Sequence, residues 1–184
     1  MANQQNPKTD ELCASHIPAL QVLMAMGYEY LPPEEALRRR GSTSEVLLRD
    51  VLVEELKKRR FSWKGKQYPL STNAIDQIVR ELASPRLGEG LLTANQRIYD
   101  MLTLGYTVTE FVDGQKASVT IPIIDWDSGG KSGSPTENNQ FHVTDEFAVK
   151  RDDPMGEDTR RPDIVCFVNG IPLAVIECKR PDLP

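Results

Sequence analysis

Arg160-Arg161-Pro162-Asp163-Ile164-Val165-Cys166-Phe167-Val168-Asn169-Gly170-Ile171-Pro172-Leu173-Ala174-Val175-Ile176-Glu177-Cys178-Lys179-Arg180-Pro181 decides the reading of this chain. It holds two short apolar runs, 164–168 and 173–176. Each is too short for a helix and rich in branched side chains, so both predict strands. Asn169 and Gly170 between them tolerate positive φ and predict a hairpin turn. Asp163 opens the first strand, and Glu177 and Lys179 close the second.

Side chains alternate along a strand, so Val175, Glu177 and Lys179 share one face and Ala174, Ile176 and Cys178 the other. The second set can pack into a core while Glu177 and Lys179 reach a cleft. Asp163, Glu177 and the Cys178 backbone carbonyl are hard oxygen ligands of the kind Mg²⁺ takes. A metal so held polarises a phosphoryl oxygen and lowers the pKa of a water. Lys179 is placed to orient that water or to neutralise developing charge. The candidate catalytic residues are therefore Asp163, Glu177 and Lys179. A bare Glu/Lys pair also reads as charges guarding a strand edge.

Pro162-Asp163 followed by Glu177-x-Lys179 resembles the PD-(D/E)xK nuclease motif. The longer phrase, residues 160–181, resembles the N-terminal nuclease domain of the restriction (R) subunit of type I restriction-modification enzymes. The resemblance implies a restriction-endonuclease-like α/β core, a mixed, largely antiparallel sheet flanked by helices. It also implies Mg²⁺-dependent cleavage of double-stranded DNA, with modification and specificity subunits as partners and DNA-site recognition in a separate subunit. ATP would serve only a translocating motor outside these residues, and the chain would be a fragment of a longer protein. Two other readings fit the same residues: a repair or resolvase nuclease of that fold, and a docking domain that keeps the fold without the chemistry.

Strand register constrains the site. A strict two-residue loop would set Val168 opposite Ile171 and Asp163 opposite Ile176, turning Asp163 away from Glu177. One extra residue corrects this. The preferred device is a three-residue loop, Asn169-Gly170-Ile171, with Val168 opposite Pro172, Phe167 opposite Leu173 and Val165 opposite Val175. The alternative is a bulge next to Asp163.

The chain has 184 residues, 39% of them hydrophobic, enough for one good core. A net charge of −5 argues against a dedicated basic DNA-binding module. Cys13, Cys166 and Cys178 form no CxxC pair, so neither a disulfide framework nor a zinc site is indicated. No apolar run suits a membrane span, and the N-terminus lacks a secretory pattern; the expectation is a cytoplasmic protein.

Upstream, a helical segment over 1–41 precedes the endonuclease domain over 42–184. Residues 1–9 read as a frayed end. Helices are expected at 18–26, from Pro32-Pro33 to Gly41, from a Ser42 or Ser44 cap through Arg60, from a Ser71 or Thr72 cap to Ser84, and over 91–104 with Leu91, Leu92, Ile98, Met101 and Leu102 buried. Glu45, Asp50, Glu54 and Glu55 lie on the third helix; the resemblance implies a further site acid on such a helix, and a solvated face is the simpler reading. Arg38-Arg39-Arg40 reads as a phosphate contact or, more simply, as a solvated basic helix end. Residues 61–70 read as a loop or short extended stretch. Strands follow at 106–112 and 116–124, joined by Asp113-Gly114, then at 139–151, with His142 an ordinary strand residue. The first glycine of a P-loop ending in Gly130-Lys131-Ser132 would fall at Asp125, so residues 128–139 read as a flexible loop.

Overall fold

The computed structural model describes residues 15–85, 87–126, 138–150 and 159–179. The readings of the frayed end, of Cys13 and of most of the Gly/Ser loop fall outside these residues. In chain order the elements are α1 (Ile17–Ala25), β1 (Glu29–Tyr30), α2 (Pro33–Arg40), α3 (Arg49–Lys58), β2 (Arg60–Trp63), β3 (Lys66–Pro69), α4 (Thr72–Ala83), α5 (Leu91–Leu104), β4 (Tyr106–Val112), β5 (Gln115–Ile121), β6 (Phe141–Asp145), β7 (Val149–Lys150), β8 (Thr159–Arg160), β9 (Ile164–Val168) and β10 (Ile171–Ile176). Pro18 and Pro33 sit in the first turns of their helices, where a missing N–H costs nothing. The Ser71 hydroxyl caps α4, accepting the Ala74 N–H at 3.2 Å.

Four strands form the central sheet in the order β1-β6-β9-β10; β1 runs parallel to β6 and the other pairs are antiparallel. One face buries Val143, Ile164, Cys166 and Cys178 against Ala19, Leu20 and Leu23 of α1. The other buries Val165 and Phe167 against Ala36 of α2 and Leu48 and Val51 beside and on α3. Alternation along β9 thus feeds two cores and makes a helix–sheet–helix sandwich. A third core joins α3, α4 and α5 to β4 and β5. Each fully buried Leu, Ile or Phe contributes roughly 1.5–3 kcal/mol.

Several expectations change. Among the described residues, the strands at 106–112 and 115–121 pair only with each other, as a ribbon separate from the central sheet. Residues 60–69 form a hairpin, because Lys64 and Gly65 both take positive φ. Helix α3 starts at Arg49 without a serine cap. The Leu48 N–H donates instead to Gly170 O at 2.8 Å, and Leu47 and Leu48 are buried, so tertiary packing overrides the local cap. Leu91 and Leu92 are exposed; α5 buries Ala94 and Met101. Arg40 is buried, not solvated: it donates to Ala148 O at 2.6 Å and lies over the Phe147 ring.

The hairpin at 169–170 also differs from both expected devices: the loop has two residues, and the bulge lies beside the turn rather than next to Asp163. Asn169 (φ +51°) and Gly170 (φ +80°) make a two-residue turn, with Val168 opposite Ile171 and Phe167 opposite Pro172. The extra residue is a bulge at Leu173, between Pro172 and Ala174. Beyond it Val165 faces Val175 and Ile164 faces Ile176. The bulge beside the turn does what a longer loop would have done, and leaves both turn residues in the left-handed region they tolerate. Asn169 adds a buried reason for its identity: its Nδ2 donates to Ile123 O and Asn139 Oδ1, and its Oδ1 accepts the Gln140 N–H.

His142 is buried on β6, with Nε2 3.7 Å from Glu29. Burial pushes its pKa below the usual histidine value, against a weaker opposing pull from Glu29. The unfolded chain therefore binds a proton more readily than the folded one in the window below about 6.5. Stability from this group is complete above that pH and falls as pH drops through the window. Thermal melts from pH 7.5 down to 5.5 should show the wild type losing more than His142→Leu; parallel curves would remove His142 from the acid response.

Candidate active site

Asp163 stands half-buried just before β9. Its Oδ2 accepts the Cys178 N–H at 2.6 Å. The β9–β10 register, carried one rung past Ile164–Ile176, sets Asp163 beside Glu177. Cys178 is buried with Ile176 and Ile164, while Glu177 and Lys179 are exposed. Alternation beyond β10 therefore splits as expected, one residue to the core and its two neighbours to solvent. Ala174 departs from the pattern: it follows the bulge on an edge strand and is exposed.

The neighbouring strand end also contributes. Glu146 N–H donates to Asp163 O at 3.0 Å, and Phe147 N–H to Pro162 O at 3.2 Å. Glu146 is thus Asp163's neighbour on the β6 side as Glu177 is on the β10 side. Arg161 Nε pairs with Glu146 Oε2 at 2.7 Å. One residue earlier, Asp145 accepts the Tyr30 hydroxyl at 2.8 Å and lies 3.3 Å from His16 Nε2. Burial first, and then this carboxylate, push the Tyr30 phenol up to about 12. Nothing in the local sequence marks Asp145, Glu146 or Arg161. Their signal is only pairwise, in which residue of 139–151 lies opposite Asp163, and no local pattern reveals that.

The acids around α3 lie elsewhere. The N-terminal end of α3 packs on the Gly170 turn, the opposite end of the hairpin from Asp163 and Glu177. Asp50 Oδ1 accepts the Val51 N–H at 2.7 Å, Glu45 lies near Arg49, and Glu54 is exposed. Glu55 is buried and pairs with Lys58, so it is not part of a solvated face.

Among the described residues, no group of three or more His, Cys, Asp or Glu side chains is gathered as a metal cluster. Two carboxylates side by side at one end of the β9–β10 pair are hard oxygen donors of the kind taken by a Mg²⁺ that keeps several waters. Cys166 is buried, and burial raises its thiol pKa, so it acts as a small hydrophobe.

Comparison with known proteins gives one family and two relatives. Residues 10–183 match the family model described as "Type I restriction enzyme R protein N terminus". The chain is 31% identical over 167 residues to the type I restriction enzyme HindI endonuclease subunit of Haemophilus influenzae. It is 27% identical over 168 residues to a protein of Methanocaldococcus jannaschii provisionally named type I restriction enzyme MjaIXP endonuclease subunit. These alignments cover 88% and 89% of the chain but 14% of each relative. No solved structure matches the chain.

Proposed function

Since the chain belongs to the family of type I restriction enzyme R protein N termini, we propose that it is the region of such a subunit that cleaves double-stranded DNA by Mg²⁺-dependent phosphodiester hydrolysis. The observation that carries this reading is the Asp163 Oδ2 bond to the Cys178 N–H at 2.6 Å. It ties the carboxylate of one strand to the peptide between Glu177 and Lys179 on the next. Three antiparallel strands with helices on both faces support a restriction-endonuclease-like core.

In this reading Asp163, Glu177 and the Cys178 carbonyl hold Mg²⁺, which when bound supplies charge neutralisation at the phosphoryl group and an activated water. The residues do the rest. The Cys178 N–H holds the Asp163 carboxylate through Oδ2, and the carboxylate would offer its other oxygen to the metal. Glu177, exposed and opposite Asp163 on the same rung, would add its carboxylate from the neighbouring strand. Lys179, exposed two residues after Glu177, would orient the attacking water and offset charge on the phosphate. In the assembled enzyme, modification and specificity subunits would supply site recognition, and an ATP-driven motor would deliver DNA. Among the described residues no helix is long and apolar enough to cross a membrane.

The test is plasmid cleavage by the full-length subunit in its complex. Cleavage should require Mg²⁺ or Mn²⁺, stop with EDTA and return when the metal is restored. Cleavage unaffected by chelation would end the metal reading. Crystals soaked in Mn²⁺ should show an anomalous peak between Asp163, Glu177 and the Cys178 carbonyl, weak without DNA because a substrate phosphate completes the ligand set. A peak on the cysteines instead would overturn the oxygen-ligand argument.

A further inference from the structure

Arg161 precedes Pro162-Asp163, and its side chain is 64% exposed. It pairs through Nε with Glu146, itself 43% exposed and in the left-handed region at φ +50°. An exposed pair of this kind contributes only about 0–1 kcal/mol to folding. Stability is therefore a weak reason for its position. The position is notable because Glu146 also donates its N–H to the Asp163 carbonyl. The guanidinium thus lies beside Asp163 along the chain and is held by Asp163's neighbour across the ladder.

A guanidinium presents five N–H donors in a fork that matches phosphate, and the contact with one carboxylate oxygen engages only part of it. The chain's net charge of −5 repels DNA overall, so cations at the rim of the site must provide local attraction. Glu146 works against this. Its carboxylate occupies the guanidinium and adds a negative charge one strand over from Asp163.

We propose that Arg161 is a DNA-phosphate contact and that Glu146 holds it in reserve, the substrate phosphate taking the place of the carboxylate when DNA enters. This rests on the nuclease reading and extends it to substrate engagement. It makes two neighbouring substitutions act in opposite directions. Arg161→Ala loses the contact, whereas Glu146→Gln removes the competing charge and frees the guanidinium. A pair that merely supported the fold would make both substitutions harmful, or neither.

The experiment measures the cleavage rate of the full-length protein in its complex with Mg²⁺ at 50 to 200 mM KCl, with thermal melting alongside. Arg161→Ala should cut about tenfold more slowly at low salt, and the slope of log rate against log salt should be shallower by about one. Arg161→Lys should recover part of the rate, having the charge without the fork. Glu146→Gln should cut a few-fold faster than wild type. A slower Glu146→Gln enzyme, or an Arg161→Ala enzyme with wild-type rate and slope, overturns the proposal. Failure of the unsubstituted protein to cut DNA overturns the nuclease reading itself and this inference with it. That result appears in a different arm and is not confused with the others.

Discussion

Asp163→Asn should fold like the wild type and cut DNA at least 10²-fold more slowly, because removing one preorganised transition-state group costs about 10²–10³ in rate. Asparagine is the informative substitution because Asp163 does two things. Its Oδ2 accepts the Cys178 N–H, a structural role an amide oxygen can keep. Its charge would hold the metal, and an amide cannot replace that. Asp163→Ala removes both roles. It leaves the N–H of the buried Cys178 without its acceptor, which costs about 1–3 kcal/mol. The alanine variant should therefore melt lower as well as lose cleavage, while the asparagine variant loses cleavage alone. Glu177→Gln and Lys179→Ala change exposed side chains and should leave melting unchanged while reducing cleavage on the same scale. Any of the three residues whose variant cuts at the wild-type rate leaves the mechanism.

Residues 160–181 show how far local pattern reaches. Two apolar runs around Asn169-Gly170 sufficed to place both strands and the turn. The demand that Asp163 meet Glu177 sufficed to require one extra residue. Where that residue sits was not legible. A three-residue loop and a bulge both give Val165 opposite Val175, and the choice is made by contacts distant in sequence: Leu48 N–H on Gly170 O, and the Asn169 amide on Ile123 and Asn139. The same limit explains the late start of α3. Ser42 and Ser44 are good caps, but burial of Leu47 and Leu48 holds the preceding turn open. It explains Leu91 and Leu92 too, since helical spacing marks an apolar stripe without saying whether the described residues cover it. Glu146 and Arg161 were invisible for a related reason: each is ordinary in its own stretch and becomes notable only when β6 is laid beside β9.

Gly170→Ala should be the most damaging single-methyl change in the hairpin, costing roughly 2–5 kcal/mol and lowering the melting temperature by about 4–20 °C. Two terms add. Gly170 sits at φ +80°, where an L-residue costs about 1–2 kcal/mol. A Cβ there would also lie 2.5 Å from Leu48 O and 3.0 Å from Leu52 N, both backbone atoms at the start of α3. Backbone cannot yield by rotating a side chain, so the turn or the helix must move, and overpacking of this kind costs about 1–3 kcal/mol. Gly114 separates the terms. It occupies the equivalent turn between β4 and β5 at φ +76°, and a Cβ there meets nothing within 4 Å. Gly114→Ala should show only the backbone cost, about 1–2 kcal/mol. Chemical denaturation of both variants measures the difference. If they lose the same stability, the close seat of the turn on α3 contributes nothing. If Gly170→Ala loses more, the hairpin that presents Asp163 and Glu177 is anchored at its far end by a glycine no other residue can replace.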